Sequence, residues 1–192
     1  MTALKLVFAG SLGTETATAI RAISEIKPLP AEVRPLDHRH LDNGWTPVAM
    51  DHGMLTLGDG RTLHLYGTPA GLRFDFPGPI IAQGALGAVL LMDNSRPDPL
   101  ADLAVCLQAF QSLAVAGAVA IGVGRMNHHP RPALDDYAGA LARLRIVAPV
   151  LPLDPRDRRD VLRLLQVLFR QIEAMNGDGG TAGPAASAQG PP

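Results

Sequence analysis

Residues 4–26 read LKLVFAGSLGTETATAIRAISEI, which joins an apolar run, a glycine-containing turn and a second run with apolar residues at regular spacing. Leu4 to Ala9 is a nearly continuous apolar run, which is typical of a strand covered on both faces. A glycine-containing turn follows, and Ala17 to Ile26 places apolar residues at helical spacing. Strand, glycine turn and helix in this order form the usual setting of a phosphate-binding loop.

The turn itself departs from the phosphate-binding pattern G-x-x-x-x-G-K-[ST]. Counting from Gly10 puts Glu15 at the second glycine, Thr16 at the lysine and Ala17 at the magnesium-binding hydroxyl. Three of the four defining positions are changed. The setting therefore predicts a nucleotide-switch fold, and the residues predict that its switch chemistry has been lost.

Apolar strands alternate with helices along the rest of the chain. The turn Gly58-Asp59-Gly60 predicts a hairpin between Val48–Leu57 and Arg61–Tyr66. This order predicts an α/β domain with a doubly wound, mostly parallel sheet and one antiparallel hairpin strand, the element order of a P-loop NTPase-like (Ras-like) G domain. Further strands are predicted at Leu86–Met92, Val119–Val123 and Val147–Leu153, and helices at Leu100–Ala116, Ala133–Leu144 and Val161–Met175. Prolines at 28, 30 and 35 are expected to break structure, and the segments 32–46 and 67–79 are predicted to be irregular.

Composition is that of a globular protein. Of 192 residues, 47% are hydrophobic and 18% charged, which suits one domain with a full core. The net charge of −1 gives no electrostatic reason to expect nucleic acid as a partner. Because the apolar runs are too short to span a bilayer and the N-terminus lacks a signal-peptide layout, we expect a cytoplasmic protein without a transmembrane segment. Residues 2–175 are expected to form the domain, and the small and polar residues 176–192 a disordered tail.

Six segments resemble bacterial small GTPases of the kind similar to the signal-recognition-particle receptor beta subunit, a group that includes conservon GTPases of actinobacteria and is related to MglA-type switches. The resemblance runs in order across residues 4–169. It implies a G-domain fold, a guanine-nucleotide site in active members and a roadblock-fold protein as a frequent partner. The segments are Leu6–Gly10, Ile20–Ile26, Val48–Asp51, Leu63–Pro69, Arg73–Phe76 and Asp93–Pro97.

The departures from this family fall at its chemical positions. Where the family phosphate loop has G-P-x-G-A-G-K-T-T, residues 10–18 read GSLGTETAT, and where it has the second-switch sequence T-P-G-Q-E-R-F, residues 68–74 read TPAGLRF. Of the first-switch threonine run, Thr46 alone remains, and the base-reading N-K-x-D falls on residues 124–127, GRMN. The vestigial nucleotide positions are therefore Gly10, Gly13, Thr14, Glu15, Thr16, Ala17, Thr18, Arg125 and Asn127.

These changes oppose nucleotide binding. A unit charge about 5 Å from a phosphate, at an effective dielectric constant of ~20, is worth roughly 3 kcal/mol. Replacing the lysine by Thr16 and adding Glu15 would therefore weaken binding by roughly three to four orders of magnitude. Ala17 offers Mg²⁺ no oxygen, Gly71 cannot position water, and Asn127 offers guanine one acceptor group where it needs two. We predict no catalytic residue, no cofactor and no metal, and hence no enzyme activity. The alternative is weak binding of GTP or GDP with Mg²⁺ through backbone N–H groups and threonine hydroxyls of residues 10–18.

Large side chains cluster in the two switch-equivalent loops. One interpretation is core packing that fixes an inactive switch, and the other is a partner-binding patch, since exposed aromatic residues mark interfaces. The leading hypothesis is a pseudo-GTPase that binds a protein partner, by resemblance a roadblock-fold protein, while an atypical switch with little hydrolysis is the alternative. The candidate interface residues are Trp45, Thr46, Leu72, Arg73, Phe74 and Phe76.

Three other features are interpreted as structural. Asp37 to Asp42 contains two histidines and two aspartates, but without a second ligand cluster it is interpreted as a solvated loop rather than a metal site. His64 alternates within a hairpin strand and is expected to be packed or half-exposed rather than catalytic. Cys106 is expected to be a small buried apolar residue.

Overall fold

The computed structural model describes residues 4–11, 13–27, 29–33, 48–68 and 78–177. Within these residues, seven strands form one sheet and six helices flank it. The strands are β1 (Leu4–Gly10), β2 (Leu29–Val33), β3 (Val48–Thr56), β4 (Thr62–Gly67), β5 (Gly87–Asp93), β6 (Val119–Gly124) and β7 (Val150–Pro152). The helices are α1 (Gly13–Ile23), α2 (Gly78–Ala82), α3 (Pro99–Ala109), α4 (Gln111–Val115), α5 (Leu134–Arg143) and α6 (Arg158–Gly177).

The strand order is β2-β3-β4-β1-β5-β6-β7. β3 is antiparallel to both of its neighbours, β2 and β4, and every other pairing is parallel. Six strands therefore run one way and β3 alone runs the other, which confirms the predicted α/β class with a single antiparallel strand. Because the carboxyl ends of β1, β4, β5 and β6 meet at one edge, the segments that follow them come together there.

Both faces of the central strands are covered. In β1, Leu6 and Phe8 lie in the apolar layer that contains Ile20 of α1 and Leu164 of α6. The intervening Val7 and Ala9 lie in the layer that contains residues of α3 and α5. This two-sided burial explains why the strand is a continuous apolar run instead of an alternating one.

Helix α1 packs directly over two glycines of the sheet. A Cβ on Gly53 of β3 would lie 2.7 Å from Ile20 Cγ2, and a Cβ on Gly67 of β4 would lie 2.8 Å from Ile20 Cδ1. Both distances are shorter than real carbon contacts. The two glycines thus set the position of α1, and with it the position of the side chains in its first turn.

The predicted start of the first helix was wrong. The apolar spacing predicted Ala17 to Ile26, whereas α1 begins at Gly13 and ends at Ile23. Glu15 in the first turn suits a helix N-terminus because the peptide dipoles there favour negative charge. Ser11 and Leu12 are all that separates β1 from α1, which leaves a shorter turn than the sequence pattern suggested.

Strand β2 falls partly in a segment predicted to be irregular because of its prolines. Pro30 lies within this strand, which is at the edge of the sheet. An edge strand tolerates a residue that lacks an N–H, so proline does not exclude it.

Several other boundaries differ from prediction. The single helix expected over Leu100–Ala116 is divided into α3 and α4 at Phe110, which is fully buried. β7 is shorter than the predicted Val147–Leu153, and α2 includes the last two residues of a predicted loop. Helix α6 continues to Gly177; the predicted tail beyond it, residues 178–192, lies outside the described residues, so the domain boundary stays a prediction.

No helix in the described ranges is both long enough and apolar enough to cross a membrane.

A Gly10→Ala substitution should destabilise the fold through β1–β5 packing. Gly10 is in register with Leu91 of β5, and an added Cβ would run into the Leu91 carbonyl oxygen. Overpacking of this kind costs about 1–3 kcal/mol. We expect a loss of that size in the free energy of unfolding, measured by urea titration. Gly58→Ala is the control, because a Cβ there meets no atom within 4 Å; equal stability of the two variants would contradict this role for Gly10.

Candidate functional site at the carboxyl edge of the sheet

A buried acid pair and one arginine occupy the edge where β5 and β6 end. Glu15 comes from the first turn of α1, Asp93 is the last residue of β5, and Arg125 directly follows β6. Arg125 Nε lies 3.1 Å from Asp93 Oδ2 and 3.6 Å from Glu15 Oε1. Glu15 is 8% exposed and Asp93 1%, whereas the arginine side chain is 53% exposed. We call these three residues the acid–arginine cluster.

Asp93 is held in place from two sides. Its Oδ1 accepts hydrogen bonds from the Ser95 N–H at 2.8 Å and the Ser95 hydroxyl at 2.6 Å. Its Oδ2 faces Arg125 as an ion pair without an aligned hydrogen bond. The backbone of Arg125 is left-handed, with φ of 61°, which is uncommon for a residue other than glycine. The arginine is therefore fixed by its position in the turn after β6 as well as by its charge.

The environment of Glu15 disfavours its charge. Burial raises the pKa of this carboxyl, and the neighbouring Asp93 raises it further. Arg125, and more weakly Arg156, act in the opposite direction without reversing the shift. The ionised form of Glu15 is therefore destabilised, and this residue stands at the position where a phosphate-binding loop has glycine.

Thr16, at the position of the phosphate-loop lysine, is turned toward the sheet. Its side chain is fully buried, and its hydroxyl donates to the Thr68 carbonyl oxygen at 3.0 Å. The Thr68 N–H in turn donates to the carbonyl oxygen of Phe8 at 2.8 Å. This chain of bonds joins α1 to the ends of β4 and β1, so Thr16 has a structural role in the described region.

Three buried polar atoms at this edge have no hydrogen-bond partner among the described residues. They are the hydroxyls of Ser11 and Thr68 and the Oδ2 of Asp93. Each belongs to a residue at or just beyond the carboxyl end of a strand: β1, β4 and β5 respectively. Unsatisfied buried groups are rare, and their concentration at one edge marks it as the candidate site.

Asn94 organises the turn next to the cluster. Its side-chain amide donates to the carbonyl oxygens of His129 and Pro132, both at 2.8 Å, and its oxygen accepts from the Tyr137 hydroxyl at 2.7 Å. Tyr137 is fully buried, and burial raises its phenol pKa. Asn94 thereby ties the end of β5 to the segment after β6 and to α5.

The other predicted site residues are distributed unevenly. Gly10 ends β1, Gly13 and Thr14 begin α1, and Ala17 and Thr18 are partly exposed one turn on. Asn127 is exposed in the turn after β6, so Arg125 alone of the predicted base-reading pair joins the acid–arginine cluster. The predicted interface residues Trp45, Thr46, Leu72, Arg73, Phe74 and Phe76 lie outside the described residues, as does the segment Asp37–Asp42.

Sequence reasoning missed Asp93, Asn94, Ser11, Thr68 and Tyr137. A signal was present for the first two, because an acid and an amide end a strand that is otherwise wholly apolar. Polar residues directly after a buried strand point to the carboxyl edge of an α/β sheet. The pairing with Glu15 and Arg125 depends on three distant segments and could not be derived from spacing.

Two predictions outside this edge are confirmed. His64 is half-exposed, and Cys106 is 1% exposed, with burial raising its thiol pKa to about 12. The thiolate is the reactive form, so this cysteine is inert at neutral pH. Among the described residues, no group of three or more histidine, cysteine, aspartate or glutamate side chains could hold a metal ion.

Comparison with known proteins supports the fold. No protein-family model and no curated protein matches the chain. Among solved structures, the bacterial selenocysteine-specific elongation factor EF-Sec is similar over 91% of this chain, with a TM-score of 0.57 and 13% identity. The matched region is 29% of that elongation factor. At this identity the likeness establishes the fold alone: the chain has a GTPase-like α/β fold.

Replacing Glu15 by glutamine should stabilise the protein more at high pH than at low pH. The folded-state pKa of Glu15 is raised, so its favourable contribution exists below the unfolded pKa and is lost as pH rises through the folded pKa. Glu15→Gln keeps the shape and removes the charge. We therefore expect the unfolding free energy of the variant, relative to the natural chain, to increase as pH rises from about 4.5, the ordinary glutamate pKa, through the raised folded-state pKa.

Glu25→Gln is the matched control with the opposite sign. Glu25 is exposed and accepts a hydrogen bond from the Thr56 hydroxyl at 2.7 Å, which lowers its pKa. The contribution of Glu25 is present above its unfolded pKa and is lost as pH falls through the lowered folded-state pKa, so this variant should lose relative stability as pH rises toward about 4.5 and change little above it. Parallel pH profiles for the two variants, measured by urea unfolding, would refute the assignment of Glu15.

Proposed function

We propose that this protein is a pseudo-GTPase: a GTPase-like domain that acts as a cytoplasmic protein-binding scaffold or regulatory subunit in signalling, without a GTP cycle. The observation that carries the proposal is the buried Glu15 beside Asp93. A triphosphate at this edge would meet the carboxyl of Glu15, whose pKa is raised by burial and by Asp93, and beside it a second buried acid. Arg125, half-exposed, is the cation nearest to them among the described residues.

The position of Thr16 supports the same conclusion. A phosphate-loop lysine extends toward the phosphates, whereas the Thr16 hydroxyl is bonded to the Thr68 backbone on the sheet side of α1. Together with the short turn after β1, this argues against a cradle of N–H groups around a phosphate. The proposed role is accordingly binding without catalysis, with Trp45, Thr46, Leu72, Arg73, Phe74 and Phe76 as the proposed interface and a roadblock-fold protein as the proposed partner.

One observation favours the alternative, a weak GTP-binding switch with little or no hydrolysis. The buried hydroxyls of Ser11 and Thr68 lack hydrogen-bond partners among the described residues and lie at the edge where this fold binds ligands. A bound anion or water could satisfy them. The two functions differ in whether nucleotide stabilises the protein, so they are separable by experiment.

Nucleotide binding tests the proposal directly. We expect no thermal stabilisation and no fluorescence change when the purified protein is mixed with GTP, GDP or ATP analogues at millimolar concentration, with or without Mg²⁺. Micromolar, Mg²⁺-dependent binding would overturn the proposal and establish the alternative.

A Glu15→Gly/Thr16→Lys variant provides the matched comparison for this assay. It removes the negative side chain and supplies the missing positive one, which together are worth roughly three to four orders of magnitude by the Coulomb estimate. Detectable binding by this variant alone would attribute the loss to these two positions. Thermal unfolding of the variant without nucleotide checks that losing the Thr16 bond to Thr68 leaves it folded.

Partner binding is tested separately from nucleotide binding. Trp45→Ala and Phe74→Ala should each weaken the complex with a purified roadblock-fold partner about tenfold or more, since aromatic anchors at interfaces typically contribute at least ~2 kcal/mol. Calorimetry measures the affinity, and circular dichroism checks the fold. Unchanged affinity in both variants would remove these loops as the interface.

A further inference from the structure

A pair of histidines lies on the other face of β3 and β4, away from α1. Along these two strands, Gly53 and Leu65 are buried on the α1 side. The alternate residues His52, His64 and Tyr66 lie on the opposite face and are partly exposed. Strand geometry therefore gathers three ring side chains on one surface that the site described above does not use.

The two imidazoles are joined by a hydrogen bond. His52 Nε2 and His64 Nδ1 are 3.0 Å apart, and the ring planes differ by 17°. The Tyr66 ring lies 5.0 Å from that of His52, centre to centre. Lys5, in register with His64, has its ammonium 5.7 Å from the centre of the Tyr66 ring and donates to the Gln83 carbonyl oxygen at 3.1 Å.

Because the two imidazoles share a hydrogen bond, the pair can take up one proton readily but not two. In the neutral pair, one outer ring nitrogen carries a hydrogen and the other is an acceptor. One further proton turns both outer nitrogens into donors and adds a single positive charge. A second would place two cations in contact, and burial together with the neighbouring His64 lowers the pKa of His52.

The charged groups facing the pair are cationic. β1 contributes Lys5, whose pKa burial lowers, β4 contributes the neutral Tyr66, and the turn after α2 contributes only the Gln83 carbonyl. The β2 residue in register with His52 is Leu29. Among the side chains that the structure describes, which leave out those of β2, no carboxylate lies within 4 Å of the two histidines or Lys5; Asp51 alternates to the other face beside Gly67, and Glu25 binds Thr56 at the end of β3.

We propose that His52, His64 and Lys5 form a binding site for a carboxylate on an acidic segment of a partner protein, and that binding is coupled to the uptake of one proton. A carboxylate can accept hydrogen bonds from the protonated pair, and charge-assisted bonds of this kind are the strong ones. Its single charge matches the single charge that the pair gains. The Lys5 ammonium supplies a second positive charge, which a neighbouring carboxylate of the same acidic segment can match.

The inference goes beyond the proposed function, because it assigns partner chemistry to a different surface. β3 begins directly after residues 34–47, and Gly67 at the end of β4 is followed closely by residues 69–77. The two strands that carry the histidines are thus adjacent in sequence to both proposed interface loops. The site can bind whether or not those loops do.

Histidine NMR titration of the full chain tests the site. The probe is an acetylated hexaglutamate peptide, with hexaglutamine at equal ionic strength as the uncharged control. We expect hexaglutamate, and not hexaglutamine, to raise the apparent pKa of the His52–His64 pair by about one unit, which corresponds to roughly tenfold tighter binding to the protonated pair. His128→Gln, an exposed histidine in the turn after β6, should leave this shift unchanged.

Variants keep the test decisive. His52→Gln and His64→Gln should each abolish peptide binding, and Lys5→Gln, which leaves the pair intact, should weaken it several-fold. If the pair titrates identically with and without hexaglutamate, or if His52→Gln binds the peptide as well as the natural chain, the site does not exist. If inorganic phosphate shifts the titration and hexaglutamate does not, the carboxylate assignment is wrong.

Discussion

The close approach of α1 to the sheet is the constraint on which the candidate site depends. Gly53 and Gly67 leave no room for a Cβ beneath Ile20, so the helix lies against β3 and β4 at a fixed height. Glu15 and Thr16 are in its first turn, and their directions follow from that position. One is brought beside Asp93, and the other to the Thr68 backbone. A helix lying farther from the sheet would bring neither contact within reach.

Electrostatics at the carboxyl edge runs opposite to what anion binding requires. Folds of this type place the partial positive charge of the first helix at that edge, where it favours phosphate. Here a buried carboxylate from the same helix takes up that partial charge, and a second carboxylate from β5 lies beside it. Arg125 offsets part of this charge from outside. The positive end of the α1 dipole thus interacts with the carboxyl group of Glu15 instead of a bound phosphate. This arrangement is consistent with the proposed loss of a nucleotide cycle.

Much of the fold could be predicted from the sequence, because buried strands and amphipathic helices leave periodic patterns. β1, β5 and β6 are covered on both faces and are continuous apolar runs. β2 could not be predicted, since Pro30 and the preceding Pro28 indicate a break, and only the place of β2 at the sheet edge makes Pro30 acceptable. At the site, the altered residues Glu15 and Thr16 were identified from a motif, but their contacts were not. Those contacts join α1 to β4, β5 and the segment after β6, and separations of that length carry no local signal.

The Asn94 contacts affect how the acid–arginine cluster can respond to an approaching ion. Asn94 joins the end of β5 to the carbonyl oxygens of His129 and Pro132, just after the turn that carries Arg125, and to Tyr137 of α5. Within that turn the backbone of Arg125 is left-handed, and its carbonyl oxygen accepts hydrogen bonds from the N–H groups of His128 and His129. This bracing limits movement of the backbone at the edge, whereas the Arg125 side chain is 53% exposed and can turn toward an incoming ion. Preorganised backbone groups need little rearrangement when a charge approaches, so the response of this edge to an ion falls mainly to one arginine side chain.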